Sequence, residues 1–238
     1  MRPLTTPSNF IKIRHMSVRL FRHRFAACAA LVLLLWFARY VATGSPRYFF
    51  LVWNLFLAAT PLIIAVLAKR YRLQGPLLVA ASVVWLLFFP NAPYIITDLY
   101  HLDHLAPVAP QLWYDPLMVF VAAYTGLKMG FVSLGIMEQL WRPLLRPARQ
   151  TPLTPWLHTL ALGAVFLATG FGLYAGRVLR WNSWDVVSQP VALIKSVGQQ
   201  LFFPLQHQQA WQFTCLYAGV LMVLYWFSGL KMGLRLRT

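Results

Sequence analysis

The sequence predicts an all-α protein: a polytopic transmembrane helical bundle of about six spans, one broken at Pro90-Pro93, with one interfacial helix besides. Three observations predict it. Of 238 residues, 59% are apolar and only 11% charged, against roughly 25% charged in ordinary soluble domains. A soluble globule of this length has too much exterior to hide that much apolar side chain. The apolar residues also gather into stretches long enough to cross a bilayer, which takes about 20 residues in a helix. Finally, the basic residues behind the net charge of +16 fall in short clusters between those stretches. A basic face is the footprint of a nucleic-acid binder, but clusters between hydrophobic runs fix membrane orientation. The expected partner is the lipid bilayer, and no nucleic acid is expected.

The first span covers residues 25–43, after Arg19, Arg22 and Arg24. A basic start and an apolar centre also describe a signal peptide, with Ala42-Thr43-Gly44 as a weak cleavage site. Arg39 interrupts the stretch where a small-residue run should lie, so the segment reads as an uncleaved anchor. The second span, 48–68, carries Pro61 and also Asn54, a residue suited to hydrogen-bonding between helices. The third, 76–97, ends in Phe-Phe-Pro-Asn-Ala-Pro-Tyr. Each proline there removes a backbone donor and crowds the carbonyl four residues back. Broken backbone at membrane depth is tolerated only against protein or a wet cavity, so this end faces inward.

The fourth span, 116–137, follows the interfacial pair Trp113-Tyr114 and holds Lys128 near its middle, a costly charge and hence a functional candidate. It contains Gly126 and Gly130; the fifth span, 156–176, ends with Gly172 and Gly176 at the same spacing. Such pairs let helix backbones approach closely, which makes spans four and five expected neighbours, with packing of either pair against another element as the alternative. Residues 190–203 are too short and too polar to cross. Val191, Ile194, Val197 and Leu201 fall at helical spacing with Lys195 and Gln199 off that face, the pattern of an interfacial helix. The sixth span, 210–230, is bordered by Trp211 and Trp226. Cys28 and Cys215 lie in apolar runs without the spacing of a metal or redox pair. With no repeat or linker, residues 25–230 form one membrane domain between a basic segment, 1–24, and a basic tail, 231–238.

Charge then orients the bundle. Arg2, Lys12, Arg14, Arg19, Arg22 and Arg24 precede the first span; Lys69, Arg70 and Arg72 follow the second. Arg142, Arg146 and Arg149 follow the fourth, and Lys231, Arg235 and Arg237 close the chain. The alternate segments hold only Arg47, Arg177, Arg180 and Lys195. The positive-inside rule places both termini in the cytoplasm of a cell whose inner (plasma) membrane holds the protein.

Asp98, Asp103, Asp115 and Asp185 then fall outside, and Glu138 inside. Two outer loops carry most of the chemistry. One runs from Asp98 through His101 and His104 to Asp115; the other holds Arg177, Arg180, Asn182 and Asp185. The strings at residues 88–99 (Phe-Phe-Pro-Asn-Ala-Pro-Tyr-Ile-Ile-Thr-Asp-Leu), 113–115 (Trp-Tyr-Asp) and 176–185 (Gly-Arg-Val-Leu-Arg-Trp-Asn-Ser-Trp-Asp) resemble hallmarks of a bacterial family catalogued as domain of unknown function 1361. The resemblance covers about residues 50–230. It implies a polytopic membrane protein and brings no activity, cofactor or catalytic residue with it. Lys128 departs from its pattern, which has an apolar residue there.

Three readings of the patch stand side by side. In the structural one, Arg177 and Arg180, three apart, share a face of an outward-continuing fifth helix and pair with Asp98 or Asp115. In the second, Asp98, His101, His104 and Asp115 supply ligands suited to zinc or manganese, though at no specific metal spacing. In the third, Arg177 and Arg180 grip a phosphate or carboxylate, while Asp98 or Asp185 orients them or acts as a base. Trp181 and Trp184 would stack on a sugar or lipid headgroup, or anchor the loop at the interface, the commoner job for tryptophan. A broken span with polar groups suits a small-solute or anion transporter; six spans without a repeat would then call for a homo-oligomer. A membrane enzyme on a lipid-linked or phosphorylated substrate and a non-catalytic complex subunit are the alternatives.

Overall fold

The computed structural model describes residues 7–100, 112–145 and 154–229, and among them every regular element is helical. The elements are α1 (Pro7–Thr43), α2 (Phe49–Arg70), α3 (Gly75–Phe88), the single turn α4 (Asn91–Tyr94) and a 3-10 segment (Ile95–Tyr100). There follow α5 (Asp115–Leu145), α6 (Thr154–Arg177), the single turn α7 (Asp185–Ser188), α8 (Pro190–Phe202) and α9 (Gln208–Phe227). Among the described residues, six stretches are long and apolar enough to cross a membrane: His23–Thr43, Phe49–Arg70, Gly75–Leu99, Asp115–Pro143, Trp156–Arg177 and Gln208–Phe227. This is a multi-pass membrane protein with the six spans that the sequence predicts.

The fourth span is the axis of the bundle. Residues 131–138 of α5 are all buried, and the helix packs against α1, α2, α4 and the 3-10 segment. The first span is peripheral: Leu34, Phe37 and Val41 are 66%, 58% and 69% exposed, a surface that only lipid can solvate. Two apolar clusters fill the interior. One surrounds Trp85, Phe131, Met137, Phe166 and Tyr225; the other surrounds Tyr48, Leu51, Met118 and Ala122.

The third span breaks where its prolines require. Pro93 has no N–H to give the carbonyl four residues back, and the backbone tightens in compensation. Ala92 N donates to Phe89 O at 3.1 Å, three residues back, and Thr97 Oγ1 donates to Tyr94 O at 2.7 Å. The backbone stays right-handed helical at Phe89 and Pro90, with φ of −59° and −58°, so the chain re-forms as α4 and the 3-10 segment instead of leaving the bundle.

The glycine pairs do not do what their spacing predicts. Contact between α5 and α6 is sparse; α5 packs mainly on α2, and α6 on α9. Both pairs instead receive the broken end of the third span from opposite sides. A Cβ on Gly126 would stand 2.7 Å from Ala92 O, and one on Gly130 would stand 2.8 Å from Ala92 Cβ. From α6, Gly172 would meet Pro90 Cγ at 2.5 Å and Gly176 would meet Tyr94 Cε2 at 3.2 Å. Small residues permit close approach, but here to a proline-kinked turn lodged between the two helices. The α6 neighbour is α9, admitted by Gly170 against the Thr214 carbonyl.

Helix α8 is strongly amphipathic, with Val191 and Ile194 79% and 71% exposed, as an interfacial helix requires. Val197, placed on that outer face by its spacing, is half-buried and turns inward with Leu193 to line a cavity. Trp181 Nε1 fastens the helix by donating to Ser196 Oγ at 3.1 Å.

Candidate functional site

At one end of the bundle, the 3-10 segment carries Asp98 into a buried position, 1% exposed. Asn54 of α2 donates through Nδ2 to Asp98 Oδ2 at 2.7 Å, and Arg177 Nη1 approaches Oδ1 at 3.3 Å. Arg177 Nη2 also donates to Thr97 O at 2.9 Å, and its guanidinium lies 5.8 Å from the Tyr94 ring centroid. One arginine at the last turn of α6 thus satisfies a carboxylate, a frayed carbonyl and an aromatic face of the broken span. A charge removed from water needs such multiple partners.

A second ion pair lies at the same end. Arg39, from the last turns of α1, is fully buried and donates through Nε to Asp115 Oδ1 and Oδ2 at 3.0 and 3.2 Å. The Leu112 backbone N–H adds a bond to Oδ2 at 3.1 Å. Tyr48, between the first two spans, lies between the guanidiniums of Arg39 and Arg47, at 5.0 and 5.1 Å from its ring centroid. Burial pushes its phenol up from the usual tyrosine value.

The residues predicted as one patch therefore separate. Asp98 and Arg177 meet. Asp115 pairs with Arg39 instead of Arg177 or Arg180. Asp185 closes its own loop, accepting from the Asn182 backbone N–H at 2.7 Å and from Ser188 Oγ at 3.0 Å. Arg180 does not share a helix face with Arg177: α6 ends at Arg177, and Arg180 turns into left-handed backbone with φ of 60°. Its side chain is exposed, as is that of Asn182. Of the metal ligand set, His101 and His104 lie outside the described residues. Among the described residues no group of three or more His, Cys, Asp or Glu comes together, and Asp98 and Asp115 are held by different arginines. Lys128 rests 5.7 Å from the ring centroid of Tyr124, one turn earlier on α5.

Beside the Asp98–Arg177 pair lies a cavity of about 350 Å³, between α2, the broken end of the third span, the end of α6 and α8. Asn54, Asn91, Asn182 and Ser183 give it polar walls, and Trp53 and Trp184 form part of its boundary. Asn91 Nδ2 donates to Ser183 Oγ at 3.2 Å, tying the broken span to the outer loop. Asn91 and Ser183 at the cavity and Arg39 in the second ion pair are the residues of this end that sequence reasoning did not place there. Asn91 carried a signal, a side-chain amide between two helix-breaking prolines. Arg39 carried another, an ionisable residue inside an apolar run, which demands a buried partner.

A family model described as "Protein of unknown function (DUF1361)" matches residues 53–224. That region takes in the broken span, Asp98, Asp115, Arg177 and every residue named as lining the cavity, and leaves out Arg39. Comparisons with curated proteins and with solved structures give no match.

Proposed function

The chain belongs to the DUF1361 family, and from that premise we propose that it is a ligand-binding multi-pass membrane protein whose ligand sits in the cavity beside the broken third span. The observation that carries this reading is the cavity's place: polar side chains converge where a spanning helix has lost its regular backbone. Discontinuous helices form binding sites in membrane proteins because they bring polar groups to membrane depth. The two ion pairs serve as clamps that hold that wall. Arg177 is committed to Asp98 and Thr97, and Asp185 to its own loop, so recognition falls to the neutral groups of the cavity and not to an Asp/Arg grip on an anion.

The reading includes a topology. Clusters such as Lys69, Arg70 and Arg72 favour cytoplasmic termini in a bacterial inner membrane, which opens the cavity on the outer leaflet. Residues 25–230 act as one unit, no nucleic-acid partner is needed, and a homo-oligomer would be required if the bound solute crosses.

Thermal unfolding of the purified full chain against sugars, polyols, amino acids, phosphate and lipids tests the core of it. A ligand of the folded state raises Tm by mass action. Ala175→Phe, which adds a ring at a residue that lines the cavity and belongs to neither ion pair, should abolish that rise in a protein that still unfolds cooperatively. A panel without effect on the wild type would overturn the reading.

A further inference from the structure

We propose that the ligand is an uncharged lipid with a hydroxyl-bearing headgroup, of the glycosyl diacylglycerol type, entering from the bilayer; this rests on the cavity being the binding site. Three observations point to that chemistry. First, none of the described residues lining the cavity is charged. Arg177 and Arg180 adjoin the lining residues Gly176 and Trp181 in sequence, but neither lines the cavity: Arg177 is bonded to Asp98 and Thr97, and Arg180 is exposed. A phosphate or carboxylate would lose its water there with no cation to replace it, which is costly.

Second, the polar wall offers neutral hydrogen-bonding groups of both kinds. The Asn54 amide gives an N–H to Asp98 and the Asn91 amide gives one to Ser183. Neither side-chain carbonyl oxygen has a protein partner among the described residues, and both residues line the cavity. Each amide also keeps a second N–H besides the one bonded, and ligand hydroxyl groups, which both donate and accept, match such a wall without charge. Trp181 and Trp184 also line the cavity, and tryptophan is a residue on whose apolar face a sugar ring can lie.

Third, the cavity continues into lipid-facing surface. Trp53 and Trp184, 51% and 45% exposed, lie at its edge, and Leu87 and Leu193 extend its apolar wall. The exposed flank of α2 beyond Trp53 includes Phe56, 60% exposed, a surface that acyl chains cover in a membrane-spanning helix. A headgroup in the polar part would leave its chains along that flank. A volume of about 350 Å³ sits at the low end of roughly 300–1,000 Å³ for ligand pockets, enough for a monosaccharide head with its chains outside.

The test is thermal unfolding of the full chain with monoglucosyl diacylglycerol, phosphatidylglycerol or free glucose as separate probes. A polyoxyethylene detergent is used because maltoside detergents are sugar-headed amphiphiles that would occupy the site. Monoglucosyl diacylglycerol should raise Tm by about 5–10 °C at roughly 100-fold excess over Kd. The other two probes should do little, and Ala175→Phe and Leu193→Trp should each erase the rise. Should one of these variants fail to fold, the other decides. An equal rise with phosphatidylglycerol sinks the uncharged headgroup. An equal rise with free glucose sinks the lipid source and leaves the binding cavity standing. A rise that persists in a folded variant removes the cavity as the site, and no response to any probe overturns the lipid assignment, whereas the wider panel decides the cavity reading.

Discussion

At the scale of single residues, the buried charges decide most. Asp115 and Arg39 are both wholly buried and bonded to one another. Removing one partner strands the other in a low-dielectric interior, at a cost of about 3–5 kcal/mol. Asp115→Ala or Arg39→Ala should therefore lower Tm sharply in detergent. The double variant Arg39→Met with Asp115→Leu should lie well above either, because no charge is left unpaired. Equal losses in all three would mean that shape, not charge, holds this end. Glu138 gives a second case: Tyr225 donates its hydroxyl to Oε1 at 2.7 Å, with His158 Nε2 3.7 Å from Oε2. Tyr225→Phe leaves the ring packing and removes the donor, and should cost about 1–3 kcal/mol in thermal unfolding; a smaller change than Tyr71→Phe, at an exposed tyrosine, would refute the bond's importance. The need for partners was legible in the sequence, since a charge near a membrane must find one. Which partner was not. Arg39 and Asp115 are 76 positions apart, and charge type alone cannot choose between Arg39 and Arg177.

At the scale of elements, position and kind were legible and contact was not. Hydropathy located six helices, the two prolines located the break, and polarity set α8 aside, because each depends on local composition. The glycine pairs show the limit. Small-residue spacing states that something approaches closely, but the approaching surface here is a turn held by Pro90, Ala92 and Tyr94, not the other glycine helix. A measurable contrast follows. In Gly172→Ala the new methyl would meet the Pro90 ring, which cannot swing aside, so overpacking of about 1–3 kcal/mol is expected. Gly163, on the same helix, has open space where its Cβ would stand. Gly163→Ala should be neutral, or stabilising by up to about 1 kcal/mol from helix propensity. Thermal unfolding of both variants checks this, and equal Tm values would mean that α4 does not lodge against α6 in solution.

At the scale of the whole molecule, the polar contacts test the alternation of the spans independently of their hydropathy. Asn54, near the start of the second span, reaches Asp98 at the end of the third, which reaches Arg177 at the end of the fifth. Arg39, late in the first, reaches Asp115 at the start of the fourth. At the opposite ends, Lys69 late in the second donates to Gln139 late in the fourth at 2.9 Å. There too Trp141 donates to Ser82 early in the third at 2.9 Å, and Glu138 meets Tyr225 late in the sixth. Each contact joins residues that an up-down bundle puts on the same side, and a misplaced or missing span would break that agreement. Charge must then choose which side faces the cytoplasm. Arg72 belongs to a basic cluster, whereas Arg180 lies on the side where positive residues are few. With Cys28 and Cys215 replaced by serine, Arg180→Cys in intact cells should react with a membrane-impermeant maleimide, and Arg72→Cys only after lysis. The reverse pattern would turn the whole bundle over and open its cavity to the cytoplasmic leaflet. Labelling of both before lysis would mean that an even number of crossings lies between them, where the six-span order puts three.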